Sequence, residues 1–327
     1  MIRSVEFRLF RSLKKVFLIG DPGPGDYETG SFFQNEIFSC QVAYRSCQPI
    51  AGKYNCRLEL DSPIAQWIEI RKVGHVPSQL PAYTKDAEDY LTTEPGLFPD
   101  VLEPLERPEV YLSSNVWQTL WLLVDPQGKV APGTYPVRLT LRDPEHGVEE
   151  TASFSVQILP GMLPEQRLIH TEWFHADCVA EAHGVPVFCE KHWEILERYI
   201  RLGVKYGLTM LYTPVFTPPL DTEVGRYRQT VQLVDVECLP QGGYAFGFSR
   251  FDRWVRMALD CGIRYIEISH LFTQWGAEHA PKVMAKERGE GKRIFGWDTD
   301  GASPEYRTFL RAFLKALDRE IHRLGIR

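Results

Sequence analysis

Three short stretches concentrate residues able to do chemistry: "TEWFHADC" at 171–178, "YTPVFTPPLDTEVGRYRQT" at 212–230 and "IEISHLFTQWGAEHAPK" at 266–282. The first offers Trp173, His175 and Asp177 at two-residue spacing, which on a strand would put all three on one face. The second sets Thr213, Thr217, Asp221, Thr222 and Arg226 among prolines, whose fixed φ angles lower the entropy of holding a loop in place. The third contributes Glu267, His270, Trp275 and Lys282. Aromatic faces beside carboxylates and neutral donors suit a saccharide: the apolar face of a pyranose stacks on Trp, and Asp, Glu, His and Arg bond its hydroxyls. Glu267 is the most demanding of these residues, because a carboxylate inside an apolar strand costs several kcal/mol unless it is paired or used. Arg226 and Arg228 are candidate partners for it or for Asp221.

Each residue also has a plainer use. Trp173 fills a core as readily as it stacks a sugar. His175 and His270 can be satisfied core or rim histidines, and without a third ligand at metal-binding spacing they imply no metal. Asp221 suits a turn, Asp177 the cap of a following helix, and the two arginines a solvated face. The convergence of three strand ends carries the saccharide reading; no single residue does.

Two different periodicities position these stretches. A chain of 327 residues exceeds the size at which one core stops growing, about 250 residues, so two domains are expected, at 1–160 and 165–327. The first alternates apolar and polar residues with period two in "IFSCQVAYRS", "WIEIRKV", "VWQTLWLLV", "YPVRLTLRD" and "ASFSVQIL", broken by turns such as "DPQGK", and reads as an antiparallel β-sandwich. The proline-rich "LPAYTKDAEDYLTTEPGLFPDVLEPLERPE" reads as a long surface connection. Beyond residue 165, helix-length segments alternate with the strands "RLIHTEWFH", "LTMLYT" and "IRYIEIS", the pattern of βα units in a partial (β/α)8 TIM barrel. "VQLVDVECLPQGGYAFGF" reads as an inserted hairpin turning at Gly242-Gly243. "KERGEGKRIFGWDTDGASPEY" reads as a charged glycine-rich loop. Gly262-Ile263-Arg264 opens a strand, and Gly325-Ile326-Arg327 repeats those residues at the end of the chain, so a further strand is expected and the chain reads as a fragment. The contrasting reading is a small open α/β domain, complete as it stands.

"NEIFSCQVAYR", "LPEQRLIHTEWFHADC", "TPVFTPPLDTEVGRYRQTVQLVDV" and "WGAEHAPK" followed by "FGW" resemble glycoside hydrolase family 123, over nearly the whole chain. The resemblance implies a β-sandwich on a (β/α)8 barrel and retaining hydrolysis of β-linked N-acetylhexosaminides. In that family the sugar's acetamido oxygen attacks the anomeric carbon, an Asp orients the acetamido group and the adjacent Glu protonates the leaving oxygen. The Asp-Glu pair belongs after "LDREIHRLG", so no catalytic residue is assigned here and the chain is expected to be inactive alone. "DTD" at 298–300 and "DRE" at 318–320 do not match that context. What carries over is the substrate rim: Trp173, His175, Asp177, the "TPPLDT" shelf, Glu267, His270 and Trp275. Should the chain nevertheless turn over, Glu267 is the general acid and Asp177 its partner.

Composition narrows the alternatives. A net charge of -6 with interspersed signs argues against a nucleic-acid partner. No stretch approaches the length of a membrane span and the N-terminus lacks the apolar core of a secretory signal, which points to the cytoplasm. Seven cysteines form no CxxC pair and no zinc-spaced cluster. No cofactor is expected, and oligomeric state is not legible. A carbohydrate is the expected partner. Two other functions compete: a non-catalytic carbohydrate-binding or scaffolding protein that recognises through its sandwich, and a sugar-phosphate or nucleotide enzyme. The last is disfavoured, because Gly289 and Gly291 follow no strand in the manner of a phosphate cradle.

Overall fold

The computed structural model describes residues 5–27, 29–50, 52–79, 90–274 and 276–326. The chain divides into two compact units, 1–165 and 166–327.

The first unit is built from β1 (Val5–Arg11), β2 (Thr29–Phe33), β3 (Phe38–Ser46), β4 (Lys53–Asp61), β5 (Ile68–Ser78), β6 (Gly96–Pro104), β7 (Glu109–Ser113), β8 (Gln118–Val124), β9 (Gly133–Asp143) and β10 (Val148–Leu159). They form two five-stranded sheets, ordered β1-β3-β8-β5-β6 and β2-β10-β9-β4-β7. Period-two alternation points Cys40, Val42 and Tyr44 of β3 with Leu120, Leu122 and Val124 of β8 inward. Cys56, Leu58, Val137, Leu139, Leu141, Val156 and Ile158 of the other sheet join them in one core. Pairing is antiparallel except between β10 and β2. The expected long connection is corrected in part: its residues 96–104 form β6, the edge strand hydrogen-bonded to β5. An edge strand tolerates Pro99 and Pro104 because it has a side on which no N–H is required, so prolines were a poor guide there. Residues 80–89 of the same stretch lie outside the described residues.

In the second unit, α1 (Ala176–Ala182) and α2 (Glu190–Lys205) precede β11 (Met210–Thr213). β12 (Asp235–Cys238) and β13 (Tyr244–Gly247) make the expected hairpin, and α3 (Ser249–Asp260) leads to β14 (Tyr265–Ile268). β15 (Val283–Glu287), β16 (Glu290–Phe295) and α4 (Pro304–Leu324) follow. Helix α2 buries Trp193, Leu196 and Ile200 at helical spacing and ends before Gly207, whose φ of 96° suits a residue without Cβ. In α4 the Ser303 hydroxyl accepts from the Tyr306 amide, Pro304 occupies the first turn, and the helix buries Tyr306, Phe309, Phe313 and Leu317.

β11 and β14 pair in parallel, with Tyr212 opposite Glu267 and Thr213 opposite Ile268, joined through α3. The third parallel strand expected at "RLIHTEWFH" is reduced to a single bridge between Thr171 and Met210. The parallel sheet is therefore two four-residue strands and a bridge, and four helices accompany it among the described residues. The glycine-rich loop is also corrected. Its first part is the antiparallel hairpin β15–β16, turning at Arg288 and Gly289 with φ of 54° and 87°. Two positive φ values in a two-residue connection match the right-handed twist of the flanking strands. This hairpin joins β12 and β13 in a four-stranded sheet ordered β13-β12-β15-β16. Val236, Val283, Ala285 and Phe295 of that sheet pack in the core with Phe309 and Phe313 of α4.

Candidate functional site

Because β11 and β14 run parallel and in register, the chain leaves both at the same edge, and the Thr171 bridge brings a third segment there. Glu267 is the centre of what gathers at that edge. Its Oε2 accepts from the Trp173 indole N–H at 2.8 Å and from the Thr171 hydroxyl at 3.1 Å. The carboxylate's partners are thus neutral donors, neither of the expected arginines. Trp173 is 48% exposed. Its ring lies 5.3 Å from the ring of Tyr212 and 5.1 Å, edge-on at 81°, from that of His270. The Tyr212 hydroxyl is 3.1 Å from His270 Nδ1. Burial holds this phenol well above its ordinary pKa, so it stays protonated. His175 closes the group on the other side, its ring 5.9 Å from that of Tyr212 and Nε2 2.8 Å from Asp221 Oδ2. Asp221 holds a left-handed backbone, φ 55°.

The structure thus gathers Trp173, His175, Asp221, Glu267 and His270 into one cluster. It places the other candidates differently. Thr213 is fully buried: its Oγ1 donates to the Leu211 carbonyl and accepts from the Trp254 indole. Thr217 is 1% exposed, and its Oγ1 accepts from the Val231 amide. Residues 211–220 are buried throughout, so the prolines secure a plug in the core and only Asp221 emerges from it at the rim. Asp177 does not share a face with Trp173 and His175, because strand spacing stops where α1 begins at Ala176. It lies instead in a buried ion pair with Arg228, at 2.9 and 3.3 Å. Arg228 also donates to the Leu220 carbonyl and sits 4.0 Å from Asp221. It therefore ties the plug to α1 and the Asp221 turn. Arg226 is an exposed partner of Glu223. Trp275 lies outside the described residues.

Sequence reasoning passed over Tyr212, which looked like one more apolar residue of "LTMLY". The signal available was its place, one residue from the carboxyl end of a strand and directly before Thr213-Pro214. Tyr227 was passed over as well. Its hydroxyl accepts from Arg293 at 2.8 Å and from the Trp297 amide at 3.0 Å. Lys282 donates to the Arg228 carbonyl at 3.1 Å, and burial, with Arg293 nearby, pushes its amine below the usual lysine range.

Asp298 of "DTD" is paired with Arg293, and Glu320 of "DRE" with Arg323 on α4. Neither enters the cluster. A surface depression of about 510 Å³, lined by Glu197, Arg201, Asp252 and Arg253, shares no residue with it. The charges there are largely paired off, as Arg201 with Glu197 and Arg253 with Glu190. Among the described residues, no group of three or more His, Cys, Asp or Glu side chains is arranged to hold a metal, and no helix is long and apolar enough to cross a membrane.

His192 supports the site from below. Its Nε2 donates to the Ala176 carbonyl at 2.9 Å and its Nδ1 accepts from the Phe188 amide at 2.9 Å, fixing the start of α1 beside Asp177. Burial lowers its pKa below the ordinary 6.5. A histidine depressed in the fold contributes stability that is complete above 6.5 and lost as pH falls through the lowered folded value. Urea midpoints of the wild-type chain should therefore fall with acid in that window, with a slope of at most about 1.4 kcal/mol per pH unit from this residue. His192→Gln should be less stable at pH 7.5 and show a shallower slope; an unchanged slope would mean that His192 does not titrate on unfolding.

Residues 173–326 match the glycoside hydrolase 123, catalytic domain, family. The second unit is glycoside hydrolase 123-like. Among solved structures, one on glycolipid glycan hydrolysis by a family 123 glycoside hydrolase from Clostridium perfringens superposes with a TM-score of 0.76 at 13% identity. The match covers 98% of this chain and 57% of that one, so this chain spans little more than half of its length. At that identity the likeness concerns the fold. The PapD-like domain 7 of human CEP192 matches 49% of this chain, and 87% of its own length, at 13% identity and a TM-score of 0.23. A FixG-related protein from Vibrio parahaemolyticus matches 49% of this chain, and 100% of its own, at 7% identity and 0.25. Scores this low carry no argument. No curated protein matches the chain.

Proposed function

We propose that the glycoside hydrolase 123-like unit contributes the saccharide rim of a retaining β-N-acetylhexosaminidase working by substrate assistance, and that this chain alone binds without turning over. The observation that carries the reading is the half-exposed Trp173 ring, held at its indole nitrogen by Glu267 and flanked by Tyr212 and His270. A half-exposed indole presents an apolar face on which the apolar face of a pyranose can stack, beside neutral donors and a carboxylate that suit its hydroxyls. The parallel β11–β14 pair, connected through α3, is read as part of a (β/α)8 barrel. The carboxylates support the inactivity: Asp177 is paired with Arg228, and Asp298 of "DTD" and Glu320 of "DRE" are engaged away from the cluster. The seven cysteines, spaced without a CxxC pair, fit a reducing, cytoplasmic setting.

Two measurements on the same preparation test this. Calorimetry with N-acetylglucosamine and N-acetylgalactosamine is expected to show binding, and aryl β-N-acetylhexosaminides are expected to release no aryl alcohol above background. Turnover abolished by Glu267→Gln would overturn the inactivity and restore Glu267 as acid. Absence of binding to either sugar would remove the saccharide reading.

A further inference from the structure

We infer that Tyr212 is a positioning residue that fixes the tautomer of His270, so that His270 Nε2 is a permanent N–H donor beside Trp173, opposite in character to the acceptor Glu267. The inference deepens the saccharide reading above and rests on it only for the identity of the ligand.

The Tyr212 hydroxyl sits on a side chain 2% exposed; its oxygen faces the backbone amide of His270, a donor, and the acceptor available to its proton among the described residues is His270 Nδ1, at 3.1 Å. Two arrangements are possible. Either the phenol donates to Nδ1, or Nδ1–H donates to the phenol oxygen and leaves the hydroxyl proton buried with no acceptor. A buried donor without an acceptor costs about 1–3 kcal/mol, so the first arrangement wins. Neutral imidazole carries one N–H, so an accepting Nδ1 requires the proton on Nε2. Nε2 has no protein partner among the described residues, and the ring stands edge-on to Trp173. At the nitrogen of the same indole, Glu267 accepts two hydrogen bonds at Oε2, and Oε1 has no donor among the described residues. A ligand lying on Trp173 thus meets an N–H donor and a carboxylate acceptor. Hydroxyl groups, which give one hydrogen bond and accept another, satisfy both. An anionic ligand would face Glu267 unfavourably. The ligand class selected is a neutral polyol face, such as an unsubstituted pyranose edge.

The test uses the full chain labelled with ¹⁵N in its histidine rings, with the His270 signals assigned by their loss in His270→Gln. Long-range ¹H–¹⁵N spectra of the wild type are expected to show His270 protonated at Nε2, and Tyr212→Phe to show a mixture of tautomers. Calorimetry should then show the affinity of Tyr212→Phe for N-acetylhexosamines reduced roughly tenfold. A wild-type His270 protonated at Nδ1, or a tautomer unaffected in Tyr212→Phe, would overturn the assignment whatever the sugar data show. A tautomer as expected with an unaltered affinity would overturn its role in recognition. If the tautomer behaves as expected and neither protein binds a sugar, the saccharide reading fails while the Tyr212–His270 coupling stands.

Discussion

Trp173→Ala is expected to weaken saccharide binding by roughly 30-fold, about 2 kcal/mol, while moving the unfolding midpoint little. The reason lies in the division of the side chain. Its indole N–H is spent on Glu267 at 2.8 Å, and about half of its surface faces solvent. Removing the ring removes the platform on which a sugar face would rest, while the fold loses a partly exposed contact with Tyr212 and His270 and one hydrogen bond to a Glu267 that keeps the Thr171 hydroxyl. Trp173→Phe separates the two contributions, because it keeps an aromatic face and gives up the donor to Glu267. Its affinity should lie between those of wild type and Trp173→Ala. Calorimetry with N-acetylhexosamines beside thermal unfolding measures both quantities. Equal affinities for all three proteins would place any bound sugar elsewhere.

Arg228→Ala should be among the most destabilising single changes in the second unit, at about 3–5 kcal/mol. The guanidinium is 6% exposed and the facing Asp177 carboxylate 8%. Truncating Arg228 strands a buried negative charge on α1 and also deprives the Leu220 carbonyl of its donor. The double change Arg228→Leu with Asp177→Asn removes both charges and is expected to recover much of the loss, since a buried pair replaced as a unit is often near neutral. Urea denaturation of the single and double variants tests this. A single-variant loss under 1 kcal/mol would show the pair to be solvated, and the anchoring of the Asp221 turn through Arg228 would have to be abandoned.

The same two residues show where local pattern stops being informative. Asp177 and Trp173 are four apart in sequence, and strand spacing would put them on one face. The first helical turn begins between them, at Ala176, and sends Asp177 into a salt bridge with a residue 51 positions away. Prolines misled in both directions. Pro99 and Pro104 sit in an edge strand that sequence reads as loop, and the Pro218-Pro219 shelf, read as an exposed rim, is a buried plug. Pattern cannot separate these cases, because proline reports a φ angle and a missing donor and says nothing of which side of the backbone faces solvent.

By itself the sequence determined the division into a strand-rich first half and a second half in which helices alternate with strands, and the inward faces of β3, β8 and β9. These follow from short-range periodicity and end signals, which act within a few residues. It also pointed to the three segments that supply the site. Only the tertiary structure decided which of their side chains meet. Glu267 takes Trp173, His175 takes Asp221, and Tyr212 takes His270, across separations of 94, 46 and 58 residues. Pairings at that range are set by the register of β11 against β14 and by the burial of the plug, quantities that exist only once the whole unit has closed around its core.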